Sequence, residues 1–214
     1  MIVPFATPAD VDRALGRAVR HLRRGGLLAH PTETVYGLGS RACGPELDRL
    51  SSLKGRGRKP VLLLVSERAM AAQWGLRFPE TAARLADAFW PGPLTLVLPP
   101  GSVAVPAELR GAGGGVAVRH TAHRGAARLV AAVGEPLTST SANRAGAGVA
   151  ESARAVVTHF PEACRAGLLL VLDGGELGNR PPSSVVDCTG PQPRLVREGA
   201  IARERLGQIV PLAP

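Results

Sequence analysis

The chain has 214 residues, of which 45% are apolar and 20% charged, a composition that is ordinary for a folded globular domain and argues against disorder. No apolar run approaches the roughly 20 residues of a membrane span, and the N-terminus lacks the basic and apolar segments of a secretory signal. The formal charge of +9 favours anionic partners such as nucleotides or RNA, while only seven aromatic residues (four Phe, two Trp, one Tyr) argue against a base-stacking surface.

Helices and strands are predicted to alternate along the whole chain. The first helix is expected to begin at Pro8, with Thr7 as its cap and Asp10 closing a capping box. Further helices are expected over 45–53, 66–74, 79–90, 123–132 and 152–160, with a short one after 201. Strands are expected over 27–29, 61–65, 94–98, 115–119, 168–172, 184–188 and 194–197.

This interleaving predicts an α/β fold around a mostly central sheet flanked by helices. No internal repeat or change of composition divides the chain, so residues 1–214 are expected to form a single domain. Three segments rich in Gly, Pro and hydroxyl residues, at 30–40, 138–148 and 173–184, are expected to be loops that carry binding groups.

The first of these loops, HPTETVYGLG, contains the hydroxyls of Thr32 and Thr34 and the only tyrosine, Tyr36. Gly37 and Gly39 are expected to allow positive φ angles and a close approach of the backbone to a ligand. Neither a Walker loop nor a dinucleotide-binding turn is present. On the residues alone, a binding loop and an ordinary connection are equally good interpretations.

The next segment, KGRGRKP over 54–60, places Lys54 and Arg56 just after a predicted helix. Only two of the 26 basic residues are lysines, which hints that this site needs a compact point charge. A triphosphate clamp and a solvated basic turn both fit the segment.

Short polar side chains are concentrated in the second half of the chain. Arg119, at the end of a predicted strand, could bind a carboxylate or lie on the surface. Ser139, Ser141 and Asn143 could bind phosphate or adenosine, or could simply stabilise a turn. Ser183 precedes a predicted strand and Arg197 closes the next one, and neither is remarkable on its own.

No nucleophile has a general base at a suggestive spacing, so positioning and charge stabilisation are the expected means of catalysis. The three cysteines have no metal-ligand spacing, so we expect no protein metal site. Free thiols also predict a reducing, cytoplasmic location.

Taken in order, these segments resemble the YrdC-like threonylcarbamoyl-adenylate synthase family. The matching segments are PTETVYGLG (31–39), KGR (54–56), PGPLT (91–95), VAVR (116–119), TSAN (140–143), DGG (173–175), SSVVD (183–187) and VREG (196–199). The resemblance implies a twisted mixed sheet with one large concave cleft. It also implies synthesis of threonylcarbamoyl-AMP and pyrophosphate from L-threonine, bicarbonate and ATP, the first half of the threonylcarbamoyladenosine modification of tRNA.

The resemblance further implies residue roles. Lys54 and Arg56 would be catalytic, and they would hold the phosphates of ATP together with Mg²⁺ carried by the nucleotide. The threonine-binding residues would be Thr32, Tyr36, Arg119 and Ser183. The nucleotide-binding residues would be Lys54, Arg56, Ser139, Ser141, Asn143 and Arg197. A threonylcarbamoyl-transferase complex would receive the product, with direct tRNA contact as one option and no role for a membrane.

The chain departs from the family pattern at four positions. Gly57 replaces a proline in a loop that is one residue short, and Leu64 replaces a histidine that helps some relatives hold threonine. Thr121 replaces the proline that usually follows Arg119, and Ala145 replaces a serine. The chain is expected to be of the short, single-domain type.

Two other functions remain open from the sequence. A non-catalytic RNA-binding or ribosome-assembly factor could use the same basic cleft, and would bind RNA in a salt-sensitive manner without turning over ATP. A carbamoyl-transfer domain of the hydrogenase-maturation kind is a third possibility, although the zinc-finger and acylphosphatase segments that accompany such domains are missing from the sequence.

Overall fold

Strands and helices alternate along the chain much as the sequence predicts. The computed structural model describes residues 1–55, 60–101, 105–144, 146–178 and 180–214. Its strands are β1 (Ile2–Pro4), β2 (Leu27–His30), β3 (Gly37–Gly39), β4 (Leu62–Val65), β5 (Leu94–Leu98), β6 (Val116–His120), β7 (Leu137–Ser141), β8 (Leu169–Asp173), β9 (Ser184–Asp187) and β10 (Arg194–Arg197). Its α-helices are α1 (Pro8–Arg23), α2 (Gly44–Lys54), α3 (Arg68–Gln73), α4 (Glu80–Phe89), α5 (Arg124–Val133), α6 (Ala153–His159), α7 (Pro161–Arg165) and α8 (Arg203–Gly207).

The strands form one mixed sheet in the order β1-β8-β2-β3-β7-β4-β6-β5-β9-β10. Strands β1, β8 and β2 are parallel, and β2, β3, β7 and β4 are successively antiparallel. Parallel and antiparallel pairs then alternate from β4 to β10. The predicted α/β class, with a mixed sheet flanked by helices, is confirmed.

Helix α1 begins as predicted from its sequence. The Thr7 hydroxyl accepts a hydrogen bond from the Asp10 amide, and the Asp10 carboxylate accepts one from the Thr7 amide, which completes the capping box. The buried residues of α1 recur at helical spacing and form a single stripe: Val11, Ala14, Ala18 and Leu22. This stripe packs against α5 and against strands β1, β2 and β8.

The two faces of the sheet bury different side chains. In β4, Leu64 belongs to the core beneath α1 and α5, whereas Leu63 and Val65 belong to the larger core on the opposite face. In β2, Leu28 likewise belongs to the core beneath α1 and α5, and Leu27 belongs to the larger core. Continuous apolar runs in both strands therefore reflect burial on both faces, as predicted for 61–65.

Two predicted loops contain short strands. The predicted loop 138–148 is wrong over 138–141, because Leu137–Ser141 forms β7, and the predicted loop 30–40 contains β3. The polar sequence of β7 conceals the strand, since its hydroxyls are satisfied across the sheet: Thr138 Oγ1 accepts a hydrogen bond from the Ser40 amide at 2.8 Å. Strand β1 and helix α7 lie where no element was predicted. Within the described residues, no helix is long and apolar enough to cross a membrane.

His30 lies in β2 directly opposite Gly37 of β3, with only 1% of its surface exposed. Its Nε2 atom has no hydrogen-bond partner among the described residues. Burial lowers the pKa of His30 to about 4, so the folded protein holds this imidazole neutral.

Between pH 6.5 and 4 the unfolded chain therefore binds a proton at His30 that the folded chain does not, and stability falls as the pH falls. We expect His30 to make the free energy of unfolding about 2 kcal/mol lower at pH 5 than at pH 7. Urea denaturation at both pH values should show this dependence reduced in His30→Phe. An equally steep dependence in the variant would contradict the burial of a neutral His30.

Candidate active site

A cavity of about 320 Å³ opens on the face of the sheet that α1 and α5 cover elsewhere. Its floor consists of side chains from adjacent strands that point to the same side, since Leu62 is paired with Ser139 and Thr95 with Val185. The residues that form this floor are Gly37, Leu62, Thr95, Ala117, Arg119, Ser139, Ser141 and Val185. The walls come from Thr32, Thr34 and Val35 before β3, from Pro60 and Val61, from Pro182 and Ser183 before β9, and from Arg197.

Gly37 allows the side chains of Ser139 and His30 to pack closely at this floor, because no larger residue fits between them. A Cβ atom on Gly37 would lie 2.6 Å from Ser139 Oγ and 2.9 Å from His30 Cε1. Neither Gly37 nor Gly39 is among the described glycines with positive φ, so the predicted need for positive φ is wrong. Close packing of Ser139 and His30 against the backbone accounts for Gly37, and the expected approach to a ligand stays a prediction.

Arg119 brings a buried positive charge to the floor. Only 4% of the residue is exposed, and its Nη1 and Nη2 atoms each donate a hydrogen bond to Thr34 Oγ1 at 3.1 Å. Its Nη2 atom lies 2.5 Å from Glu33 Oε1 in an ion pair. The guanidinium is therefore held by two consecutive residues of the PTET segment, which lies 85 positions away from it in the sequence.

Glu33 is kept ionised beside this cation. Burial alone raises the pKa of the carboxyl, but the charge of Arg119 and the hydrogen bonds from Thr121 and Arg119 outweigh burial and lower it. The pair consequently stays charged down to pH values below the ordinary range of glutamate. Loss of one partner would leave an uncompensated buried charge.

Thr32 fixes the turn that presents Glu33 and Thr34. Its hydroxyl donates to the Val35 carbonyl at 2.7 Å and accepts from the Thr34 and Val35 amides at 3.2 Å each. Thr34 Oγ1 lies 2.9 Å from Thr32 Oγ1, which links this turn to Arg119. Thr32 thus lines the cavity and also organises the loop.

Tyr36 lies outside the described lining of the cavity. Its side chain is fully buried, and its hydroxyl donates to the Gly175 carbonyl at 2.8 Å and accepts from the Gly174 amide at 3.0 Å. Burial raises the pKa of Tyr36 to about 12. In this structure the tyrosine holds the DGG segment against the sheet.

Lys54 ends α2 with its ammonium pointing at β7 and the residues after it. Its Nζ donates to the Ser141 carbonyl at 2.5 Å, and to Ser141 Oγ and Asn143 Oδ1 at 3.3 Å each. The Ser141 hydroxyl in turn donates to Asn143 Oδ1 at 2.6 Å. Three residues predicted to bind nucleotide are therefore in contact, while the predicted Arg56 lies outside the described residues.

Arg197 and Ser183 meet at the opposite rim of the cavity. Arg197 Nη2 donates to the Ser183 carbonyl at 2.7 Å and to Ser183 Oγ at 3.3 Å. Thr95 Oγ1 lies 2.8 Å from Ser183 Oγ. Partial burial, followed by the charge of Arg119, lowers the pKa of Arg197. Both arginines line the same cavity, so their positive charges add there.

Six predicted site residues line one cavity: Thr32, Arg119, Ser139, Ser141, Ser183 and Arg197. Lys54, which is 3% exposed, and Asn143 lie outside its described lining and contact it through Ser141. Thr34 and Thr95 also line it, although neither was assigned a role. Thr95 could have been found, since it is the only polar residue in the predicted strand LTLVL. No feature of the local sequence predicts that Glu33 and Thr121 hold Arg119 in place.

The arrangement suits the binding of an anion, since hydroxyls lie among two guanidinium groups and a nearby ammonium. The described lining residues include no His, Cys, Asp or Glu, and no described cluster of such residues could hold a metal ion. The described groups thus favour positioning and charge stabilisation over covalent catalysis.

The family model of Sua5, YciO and YrdC proteins, described as "Telomere recombination", matches residues 20–199. A relative from Pyrococcus abyssi named threonylcarbamoyl-AMP synthase is 36% identical, and the match covers 90% of this chain but 56% of that protein. A protein of the same name from Thiobacillus denitrificans is 42% identical, with 78% of this chain and 87% of the relative covered. The chain thus spans little more than half the length of the first relative.

A crystal structure of the P. abyssi protein Sua5 complexed with L-threonine has a closely similar fold. Its TM-score is 0.86 at 33% identity, and the alignment covers 100% of this chain and 63% of that one. These comparisons leave the expected single-domain organisation over residues 1–214 as a prediction.

The packing around Gly37 predicts a sharp effect of one methyl group. Gly37→Ala should lower the free energy of unfolding by about 1 to 3 kcal/mol, because Ser139 and His30 must move to accommodate the Cβ atom. Gly44→Ala is the matched control, since a Cβ atom on Gly44 would have no neighbour within 4 Å. Urea denaturation of both variants tests this expectation, and equal stabilities would contradict the close contact at Gly37.

Proposed function

The chain belongs to the Sua5/YciO/YrdC family, and on that premise we propose that it forms threonylcarbamoyl-AMP and pyrophosphate from L-threonine, bicarbonate and ATP. The observation that carries the proposal is the single cavity into which Arg119, Arg197 and hydroxyl side chains project from neighbouring strands. The similarity to relatives named for this reaction supports the synthase and gives no support to the non-catalytic RNA-binding factor.

The threonine subsite of the proposal lies around Arg119. Its guanidinium would bind the substrate carboxylate, since Arg119 already lies in the cavity with Thr34 and Glu33 fixing its position. Thr32 and Ser183, which line the same cavity, would hold the remaining polar groups. Tyr36 would act through the segment that its hydroxyl holds, because its own side chain is buried.

The nucleotide subsite would extend from Ser139 and Ser141 towards Asn143 and Arg197. Lys54 would neutralise phosphate charge, and its present contacts with Ser141 and Asn143 hold the ammonium in advance. Preorganised charge of this kind stabilises a transition state without reorganising during the reaction. Arg56 belongs to the proposal by its place two positions after Lys54 in the matching segment.

The chemistry requires little from the protein beyond alignment. The neutral amine of threonine adds to the carbon of bicarbonate and water leaves, which gives a carbamate anion. An oxygen of this anion then attacks the α-phosphorus of ATP. The bond from that phosphorus to the bridging oxygen breaks, and pyrophosphate leaves. Because the nucleophile is already an anion, its attack on phosphorus requires no general base.

Mg²⁺ enters the proposal only as an ion carried by ATP. The described residues contain no metal-binding cluster, and Mg²⁺ commonly binds through substrate phosphates with few protein ligands. Bound in that way, it would share the neutralisation of the phosphates with Lys54 and Arg56.

We also propose that the product passes to a threonylcarbamoyl-transferase complex, which would modify tRNA in the cytoplasm. This part of the proposal follows from the reaction, since a mixed anhydride with AMP needs an acceptor. The net charge of +9 is compatible with a direct tRNA contact.

The reaction is tested by measuring pyrophosphate release by the purified protein with ATP, Mg²⁺ and bicarbonate, in the presence and absence of L-threonine. Release should depend on threonine, and serine or valine should support it poorly. Release that is independent of threonine, or no release from a folded protein, would contradict the proposed function.

Lys54→Ala should lower kcat for pyrophosphate release by about 100-fold or more, because it removes a preorganised charge at the phosphates. Arg20→Ala is the control, since it removes an exposed cation on α1 and should leave the rate unchanged. Thermal melting should show that both variants remain folded. Unaltered kcat in folded Lys54→Ala would remove Lys54 from the mechanism.

A further inference from the structure

Thr121 lies two positions after Arg119, directly after the end of β6. It is 1% exposed, and its hydroxyl donates a hydrogen bond to Glu33 Oε2. The same oxygen of Thr121 accepts from the His123 amide at 3.2 Å, at the turn that leads into α5. A proline in this position would offer no hydroxyl, so the contact with Glu33 depends on threonine.

The two oxygens of Glu33 are engaged in different directions. Oε2 accepts from Thr121, while Oε1 lies 2.5 Å from Arg119 Nη2. The carboxylate therefore bridges Thr121, which follows β6, and Arg119, which lies within β6. Because Glu33 itself belongs to the loop between β2 and β3, this bridge ties that loop to the central part of the sheet.

The bridge restricts where the Arg119 guanidinium can point. Thr34 Oγ1 receives hydrogen bonds from both terminal nitrogens, Gly92 O receives one from Nε at 3.3 Å, and Glu33 engages Nη2. If the Glu33 carboxylate could rotate freely, the ion pair would fix the distance between the carboxylate and the guanidinium but not the orientation of either group. With the hydroxyl of Thr121 on its second oxygen, its rotation is fixed as well.

We propose that Thr121 and Glu33 are positioning residues of the threonine subsite: the Thr121 hydroxyl fixes the Glu33 carboxylate, which holds Arg119 in the orientation that binds the carboxylate of the substrate. The inference rests on the proposed function, because it assumes that Arg119 binds threonine. It goes further by assigning a task to a carboxylate and a hydroxyl that both lie outside the described cavity lining.

The test compares Thr121→Val, which keeps the shape and removes the hydroxyl, with Thr121→Ser, which keeps the hydroxyl. Thr189→Val is the matched control, because Thr189 Oγ1 also donates a hydrogen bond to a carboxylate, Asp187 Oδ1, at 2.7 Å. Neither of these two residues belongs to the described lining of the cavity. Calorimetry would give Kd for L-threonine without ATP, and pyrophosphate release would give kcat and the KM values for threonine and ATP.

Thr121→Val should raise Kd and KM for threonine about tenfold, which is the effect of losing one hydrogen bond to a charged group, while KM for ATP changes less than about twofold. Thr121→Ser should restore threonine binding, and Thr189→Val should not alter it. Equal increases in both KM values, or a Thr121→Ser variant as weak as Thr121→Val, would show a merely structural role and overturn the proposal.

Glu33→Gln provides a second, independent variant. Because it leaves the buried Arg119 without its counter-charge, it is compared with the wild type at a temperature at which circular dichroism shows it to be folded. It keeps the shape of the side chain and an acceptor for Thr121 but removes the charge, and it should also weaken threonine binding selectively. Unchanged threonine affinity in folded Glu33→Gln would overturn the positioning role. A wild-type protein that binds no threonine would instead contradict the proposed function itself.

Discussion

The structure depends on the compensation of one buried charge, the guanidinium of Arg119 in the middle of the sheet. A cation that is 4% exposed is tolerated only when it is paired and hydrogen-bonded. Glu33 and Thr34 meet this requirement, and the Thr32 turn holds both of them in place. The PTET segment is therefore a structural part of the sheet face as well as part of the proposed binding site.

The sheet divides the molecule into a supporting side and a binding side. One face is covered by the larger apolar core, and helices α1 and α5 cover part of the other. The remainder of that second face is lined by small and polar side chains, with Gly37 leaving room between His30 and Ser139. Six strands form the floor, so sheet register sets its geometry, while the loops before β3 and β9 form the walls.

Much of the fold could be predicted from local patterns, whereas the assembly of the site could not. The capping box at Thr7 and the apolar strand LTLVL act through neighbouring residues, and both occur where the sequence placed them. Strand β3 was missed because GLG is rich in glycine, which is depleted in strands. Strand β7 was missed because LTSTS is too polar to show an apolar pattern, although threonine favours strands; the two strands pair with each other. The contact between Glu33 and Thr121 joins residues 88 positions apart, which no local pattern can predict. The family resemblance assigned the PTET and VAVR segments to one site, but it did not predict the contacts between their residues.

The central claim is that this cavity joins threonine, through a carbamate, to the α-phosphate of ATP. The most direct test is mass spectrometry of the product formed from ATP, Mg²⁺ and L-threonine, with either ordinary or ¹³C-labelled bicarbonate. We expect an adenylate that requires threonine and gains the mass of the label. An unlabelled threonyl-adenylate, or intact ATP in the presence of all substrates, would contradict the account.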